Sequence, residues 1–128
     1  MMLNHLSFPS TDVLATVNFF EKYLGCTVAS RHEHGCNLKR PGFDIVIEDL
    51  ETEAVQWPPN FHLGFELASF EELVNIFHVL KADDIEMQTD VIKHARGSRL
   101  FCRIPGGFSL EINTRADANE HYRGSFNN

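Results

Sequence analysis

Apolar and polar residues alternate along LNHLSF, so Leu6 and Phe8 share one face of a predicted strand and His5 and Ser7 the other. The period then changes. In PSTDVLATVNFFEKYLG, the residues Val13, Leu14, Val17, Phe20, Tyr23 and Leu24 recur at helical spacing. Ser10, Thr11 and Asp12 are N-cap types, and Gly25 suits the far end, which predicts a helix of about three turns. The segments CTVASRHE, GCNLKR and FDIVIEDL follow as short predicted strands.

The same order is then written again. In FHLGFEL, Phe61, Leu63, Phe65 and Leu67 share one face, while His62, Gly64 and Glu66 take the other. Ser69 and Glu72 form a Ser-x-x-Glu capping box ahead of a stripe of Leu73, Val74, Ile76, Phe77 and Leu80. IEMQTDVIK, SRLFCRI and FSLEINT read as three further strands, and RPGFDIVIE and IPGGFSLEIN are introduced by like turns. Two βαβββ modules result, at about 3–50 and 61–114, within a single α+β domain. Residues 51–60, with Pro58-Pro59, form the expected linker, and 115–128 a polar tail with at most a helical turn. Each helix is the available cover for its apolar strand faces. The expected fold is therefore a curved mixed sheet around a cleft, with the helices on its outer face.

Parity places candidate chemistry on the uncovered side. His5 and His62 occupy equivalent positions of the two modules. In FSLEIN, Phe108, Leu110 and Ile112 form the apolar set, which leaves Glu111 on the histidines' side. Two imidazoles and a carboxylate from three strands suit a divalent metal with open positions: Fe2+, Mn2+, Zn2+ or Ni2+. The other interpretation is a polar-lined cleft without metal. Arg99, Phe101 and Arg103 share one side of their strand; on the metal side, the arginines could bind a carboxylate or phosphonate. His94, beside Gly97 in a loop, is a candidate general acid-base or an exposed loop residue. His32, His34, His78 and His121 read as surface residues, and Trp57 and Phe61 as cleft-wall or packing aromatics.

Charge and cysteines narrow the class. Eleven Lys and Arg against 18 Asp and Glu give a net charge of −7, without the basic footprint that nucleic acid requires. Cys26, Cys36 and Cys102 have no metal-like spacing and read as thiols in a reducing compartment. The opening MMLNHLSFPST has neither a basic n-region nor an apolar core, and no run is long enough to span a membrane. A cytoplasmic protein with a small-molecule substrate, and no nucleic-acid or membrane partner, is the expectation.

LNHLSF, VNFFEKYLG, HLGFEL and PGGFSLEIN resemble landmarks of the vicinal oxygen chelate superfamily, over about residues 2–114. That group includes glyoxalase I, bleomycin resistance proteins, fosfomycin resistance enzymes and extradiol dioxygenases. The closing motif resembles the Asp-Pro-Asp-Gly turn before the ligand glutamate, with its acidic turn residues missing here. The resemblance implies paired βαβββ modules and metal ligands His5, His62 and Glu111. It also implies a homodimer, in which His5 could serve a site whose other ligands belong to a partner chain. Glyoxalase I has a fourth, carboxylate ligand, but alignment on Gly-Phe puts Val46 there, with Glu48 two residues on as a substitute or a rim acid. Ser7 stands where fosfomycin enzymes carry an oxirane-binding Thr, although IKHARGSRLF departs from their cationic loop. Extradiol enzymes imply an acid-base role for His94, while Phe101 stands where their phenol would be. A metal-dependent lyase, dioxygenase or thiol/water transferase is the leading expectation. A metal-free bleomycin-type protein that sequesters a drug or metabolite is the alternative, suited by the acidic charge.

Overall fold

The computed structural model describes residues 1–51 and 54–126; Thr52 and Glu53 of the expected linker, and Asn127 and Asn128 of the tail, lie outside the described residues. The chain divides into two compact units, Met1–Pro59 with Ile104–Gly107, and Asn60–Arg103 with Phe108–Asn128. The first contains β1 (His5–Ser10), α1 (Val13–Tyr23), β2 (Thr27–His32), β3 (Gly35–Lys39) and β4 (Asp44–Asp49). The second contains β5 (His62–Leu67), α2 (Phe70–Ala82), β6 (Arg99–Arg103), β7 (Ser109–Thr114) and the short α3 (Glu120–Arg123).

Each unit builds one mixed sheet, in the orders β1-β4-β3-β2 and β5-β7-β6. The opening strand pairs in parallel with the closing strand of its own unit, and the two registers correspond. Ser7 lies opposite Val46, and Gly64 opposite Glu111. Alternation does the rest. Phe8, Leu38, Ile45 and Ile47 are buried with Val17 and Phe20 of α1 in one core. Leu100, Leu110 and Ile112 are buried with Leu73, Phe77 and Leu80 of α2 in the other.

The caps are largely those expected. Asp12 accepts from the Ala15 amide at 3.0 Å, and Gly25 takes a left-handed φ of 66° just past the helix. Ser69 accepts from Glu72 N, but the Glu72 carboxylate reaches one residue further back than a standard box, to Ala68 N at 2.9 Å. The α1 stripe is rotated from its predicted position. Thr16 and Phe19 are buried, whereas Leu14 is exposed. Thr16 can go inside because its hydroxyl is fully used: it lies 2.8 Å from Ser10 Oγ and within bonding distance of the Asp12 and Pro105 carbonyls.

IEMQTDVIK departs from the expected strand. Only Met87 with Cys102 and Ile92 with Arg99 form bridges, and their registers differ by two residues. Between them the Thr89 hydroxyl takes the Phe101 amide at 3.0 Å, displacing the backbone from the ladder. All three cysteines are buried and free, and burial pushes the Cys102 thiol up to about 12. No helix is long and apolar enough to cross a membrane, among the described residues.

Replacing Thr16 by Val keeps its shape but leaves Ser10 Oγ and the Pro105 carbonyl without this partner. Urea unfolding of Thr16→Val is expected to show a loss of about 1–3 kcal/mol. The exposed Thr11→Val should change stability by less than about 0.5 kcal/mol.

Candidate functional site

In the second unit, parallel pairing sets β5 beside β7, and both present their polar residues away from α2. His62 Nε2 and Glu111 Oε2 lie 3.3 Å apart. Gly64, in register with Glu111, keeps this face open: a Cβ there would come no closer than 3.9 Å to any atom, that atom being Asn113 Nδ2. Each partner is anchored from behind. His62 Nδ1 is 3.0 Å from the Asn60 carbonyl oxygen, which only accepts, so Nδ1 carries a proton. Nε2, which faces the Glu111 carboxylate, is the nitrogen that could coordinate a metal once it gives up any proton of its own. Asn113 Nδ2 donates to Glu111 Oε1 at 2.9 Å, leaving Oε2 toward His62. The Phe101 ring, in register with Glu111, meets the His62 imidazole edge-on at 5.5 Å. An imidazole nitrogen and a carboxylate oxygen, each oriented by an outer hydrogen bond, fit a divalent metal.

This pair opens into a cavity of about 400 Å³. His94 and Gly97 line it from the loop before β6, Arg99 from β6, and Asn113 from β7. Arg96, Arg115 and Phe126 complete the wall. His94 is exposed, and its Nδ1 accepts from the Arg96 amide at 3.2 Å. In the neutral ring the proton is then on Nε2, available to a bound molecule.

The loop is held in place by a clasp. Ser98 is fully buried and donates its amide and hydroxyl to the two Asp117 carboxylate oxygens, at 2.9 and 2.5 Å. The Asn119 amide bonds to the Ala95 carbonyl at 2.8 Å. Gly97 has φ 111°, and a Cβ there would fall 2.0 Å from the Thr114 carbonyl oxygen, so only glycine fits. Burial alone would raise the Asp117 carboxyl. The Ser98 hydroxyl and amide, its own backbone N–H and the Lys93 charge outweigh burial and hold its pKa below the ordinary carboxylate value.

Of the residues singled out by sequence, the structure brings together His62, Glu111, Phe101, Arg99 and His94 in one unit. Arg103 shares their strand face but pairs with Glu86 at 3.5 Å and does not line this cavity. His5, Ser7 and Glu48 belong to the first unit. His5 lies in a second concavity with Asn37, Lys39, Asp44 and Val46, and its Nδ1 is 2.6 Å from Asn4 Oδ1. Glu48 is exposed at the far end of β4, opposite Pro9, four residues or ~13 Å along the strand from the position paired with His5. No group of three His, Cys, Asp or Glu is arranged to hold a metal, among the described residues. Trp57 donates to the Gly106 carbonyl at 2.9 Å, and Phe61 packs edge-on against Phe108. His32, His34, His78 and His121 are exposed.

Sequence reasoning missed Arg96, Arg115, Asn113 and Phe126. Asn113 shares the parity of Glu111 and was within reach of the strand pattern. Arg96 and Arg115 lie outside strands, where alternation has nothing to say, and Phe126 follows α3 with no local signal.

Residues 2–112 match the model of the Glyoxalase/Bleomycin resistance protein/Dioxygenase superfamily. A possible glyoxalase from Bacillus cereus is 31% identical, with a TM-score of 0.78 over 88% of this chain and 98% of that one. Lactoylglutathione lyase from Agrobacterium tumefaciens is 14% identical, with a TM-score of 0.71 over 88% and 92%. Oxidase ChaP-H2 is 21% identical, with a TM-score of 0.73 over 90% and 94%. At these identities the last two show a shared fold. No curated protein matches the chain.

The depressed Asp117 pKa predicts the shape of acid unfolding. Its stabilising contribution is complete above the unfolded carboxyl value of about 3.9 and disappears as pH falls through the lower folded value. Melting temperatures of wild type and Asp117→Asn should therefore differ most near neutrality and converge below about pH 4. A gap that stays constant down to pH 3 would show that the carboxylate charge is not what holds the clasp.

Proposed function

Since the chain belongs to the Glyoxalase/Bleomycin resistance protein/Dioxygenase superfamily, we propose that it is a metal-dependent enzyme acting on a small oxygenated molecule. Convergence of His62 Nε2 and Glu111 Oε2 at 3.3 Å, each fixed by an outer hydrogen bond, carries this reading. His5 is the third proposed ligand, from the same chain or from a second copy in a homodimer. Its Nδ1 is likewise engaged by an oxygen, leaving Nε2 for coordination. The bound ion would act as a Lewis acid toward a substrate oxygen and offset negative charge that develops there.

The protein's own groups have separate tasks. Glu111 and His62 would hold the ion, and Asn113 and the Asn60 carbonyl keep the two side chains from turning away. Phe101 walls the imidazole on one side. The neutral His94 ring can donate a hydrogen bond from Nε2–H to a bound molecule. Acid–base work there would run through the imidazolium, formed when Nδ1 gives up its bond from the Arg96 amide and takes a proton. Lyase and oxidase are both names carried by proteins of this fold. Val46, the register counterpart of Glu111, offers no fourth ligand, which favours a site with open positions for substrate or water. Of the metal-free alternative, sequestration of a drug or metabolite, the cavity's arginine lining disfavours the cationic-drug form.

Metal analysis of protein loaded with Fe2+, Mn2+, Zn2+ or Ni2+ and then desalted tests the proposal. Wild type should retain a stoichiometric ion, and His62→Ala or Glu111→Gln should weaken binding by more than about a hundredfold, beyond the loss from an outer partner alone. His121→Ala should retain the ion as wild type does. Equal retention by His62→Ala would sink the idea.

A further inference from the structure

Arginine is concentrated where the chain's overall charge would not place it. Against 18 acidic residues, three of the chain's 11 Lys and Arg line one cavity of about 400 Å³: Arg96, Arg99 and Arg115. His94 lies beside them, and Glu111 is the only carboxylate in the described lining. The Phe126 ring contacts two of the guanidiniums, with Arg115 Cζ at 4.1 Å and Arg96 Cζ at 5.4 Å from its centre. Arg115 also pairs with Glu66 at 3.5 Å. Arg99 stands over Phe101 at 5.5 Å. Gathering like charges costs free energy unless something of opposite sign joins them.

Two atoms of this wall are buried without a hydrogen-bond partner: Arg99 Nε, a donor, and Asn113 Oδ1, an acceptor. The two residues are register partners on adjacent strands. Asn113 Nδ2 is already given to Glu111, so its free group is specifically the acceptor. Unmet buried polar atoms are uncommon, and here a donor and an acceptor are unmet side by side. Guanidinium suits an oxyanion, and a lone amide oxygen suits a protonated oxygen next to it.

We propose that this cavity binds a small oxyanion that also carries a hydroxyl, such as a phosphate group or a 2-hydroxy carboxylate, with Arg99 as the anchor. Arg96 and Arg115 add charge, and Asn113 accepts from the hydroxyl. The proposal rests on the metal-enzyme reading only in making this molecule the substrate; the oxyanion site itself needs no metal.

The test uses full-length, metal-free protein labelled with 15N, so a failure to bind metal cannot be mistaken for a failure to bind the anion. Arginine Nε–H resonances are followed while phosphate is added near pH 7, with sulfate, glycolate and acetate in parallel at matched ionic strength. The Arg99 resonance should shift and saturate with phosphate or glycolate; which of these binds tighter identifies the anionic group. Sulfate and acetate, which carry no proton to give Asn113, should bind several-fold more weakly. Arg99→Gln should weaken binding by about tenfold or more, and Arg96→Gln by less. Arg103→Gln, outside the cavity, should leave it unchanged. Absence of a saturable shift, or an equal loss in Arg103→Gln, would overturn the site. Equal binding of sulfate and phosphate, and of acetate and glycolate, would overturn the hydroxyl requirement.

Discussion

Parallel pairing of β5 with β7 governs the chemistry of the second unit. The register that places Gly64 against Glu111 brings a histidine and a glutamate to one face, while Leu63, Phe65, Leu110 and Ile112 go to the face that α2 covers. A slip of one residue would turn Glu111 toward α2 and expose Ile112. The buried apolar face therefore holds the site in register. Side chains of Leu110 and Ile112, almost wholly buried, fix where Glu111 stands even though they touch no ligand.

A second constraint acts on the loop that carries His94 and Arg96. Such a loop has no sheet ladder to hold it, and alternation cannot aim its side chains. Its position comes from tertiary bonds: Ser98 to Asp117, Asn119 to Ala95, and the contact of Gly97 with the Thr114 carbonyl. Residues of the C-terminal tail thereby position groups that precede β6. Phe126 extends this role through its contacts with Arg96 and Arg115. The tail thus supplies part of the cavity wall, although its sequence reads as a polar end.

Legibility of the site followed the regularity of the backbone. Counting residues put His62 and Glu111 on one face, and Arg99 and Phe101 together on one side of their own strand, because period-two alternation leaves little freedom within a strand. That the two faces coincide came from the register of β6 with β7. Arg103 obeys the same parity, yet its position at the strand end lets it turn to Glu86. The segment 85–93 was misjudged as a regular strand for a related reason. Thr89 has a hydroxyl that can replace a backbone group in the ladder, and a hydrophobicity pattern does not register that competition. Leu14 and Thr16 were exchanged in burial because a helical stripe fixes a face only to within about one residue, and hydrogen bonding settled the choice.

Local sequence by itself determined the repeated strand–helix order, the caps at Asp12 and Ser69, and the parity that sets histidines apart from the core. Each depends on neighbours within a few residues, where backbone geometry is nearly invariant. Only the tertiary structure decided that His62 and Glu111 meet, that Asn113 and the Asn60 carbonyl orient them, and that Arg96, Arg99 and Arg115 share one cavity. Those contacts join positions up to about fifty residues apart, and their distances are set by strand register and loop closure, which no local pattern encodes.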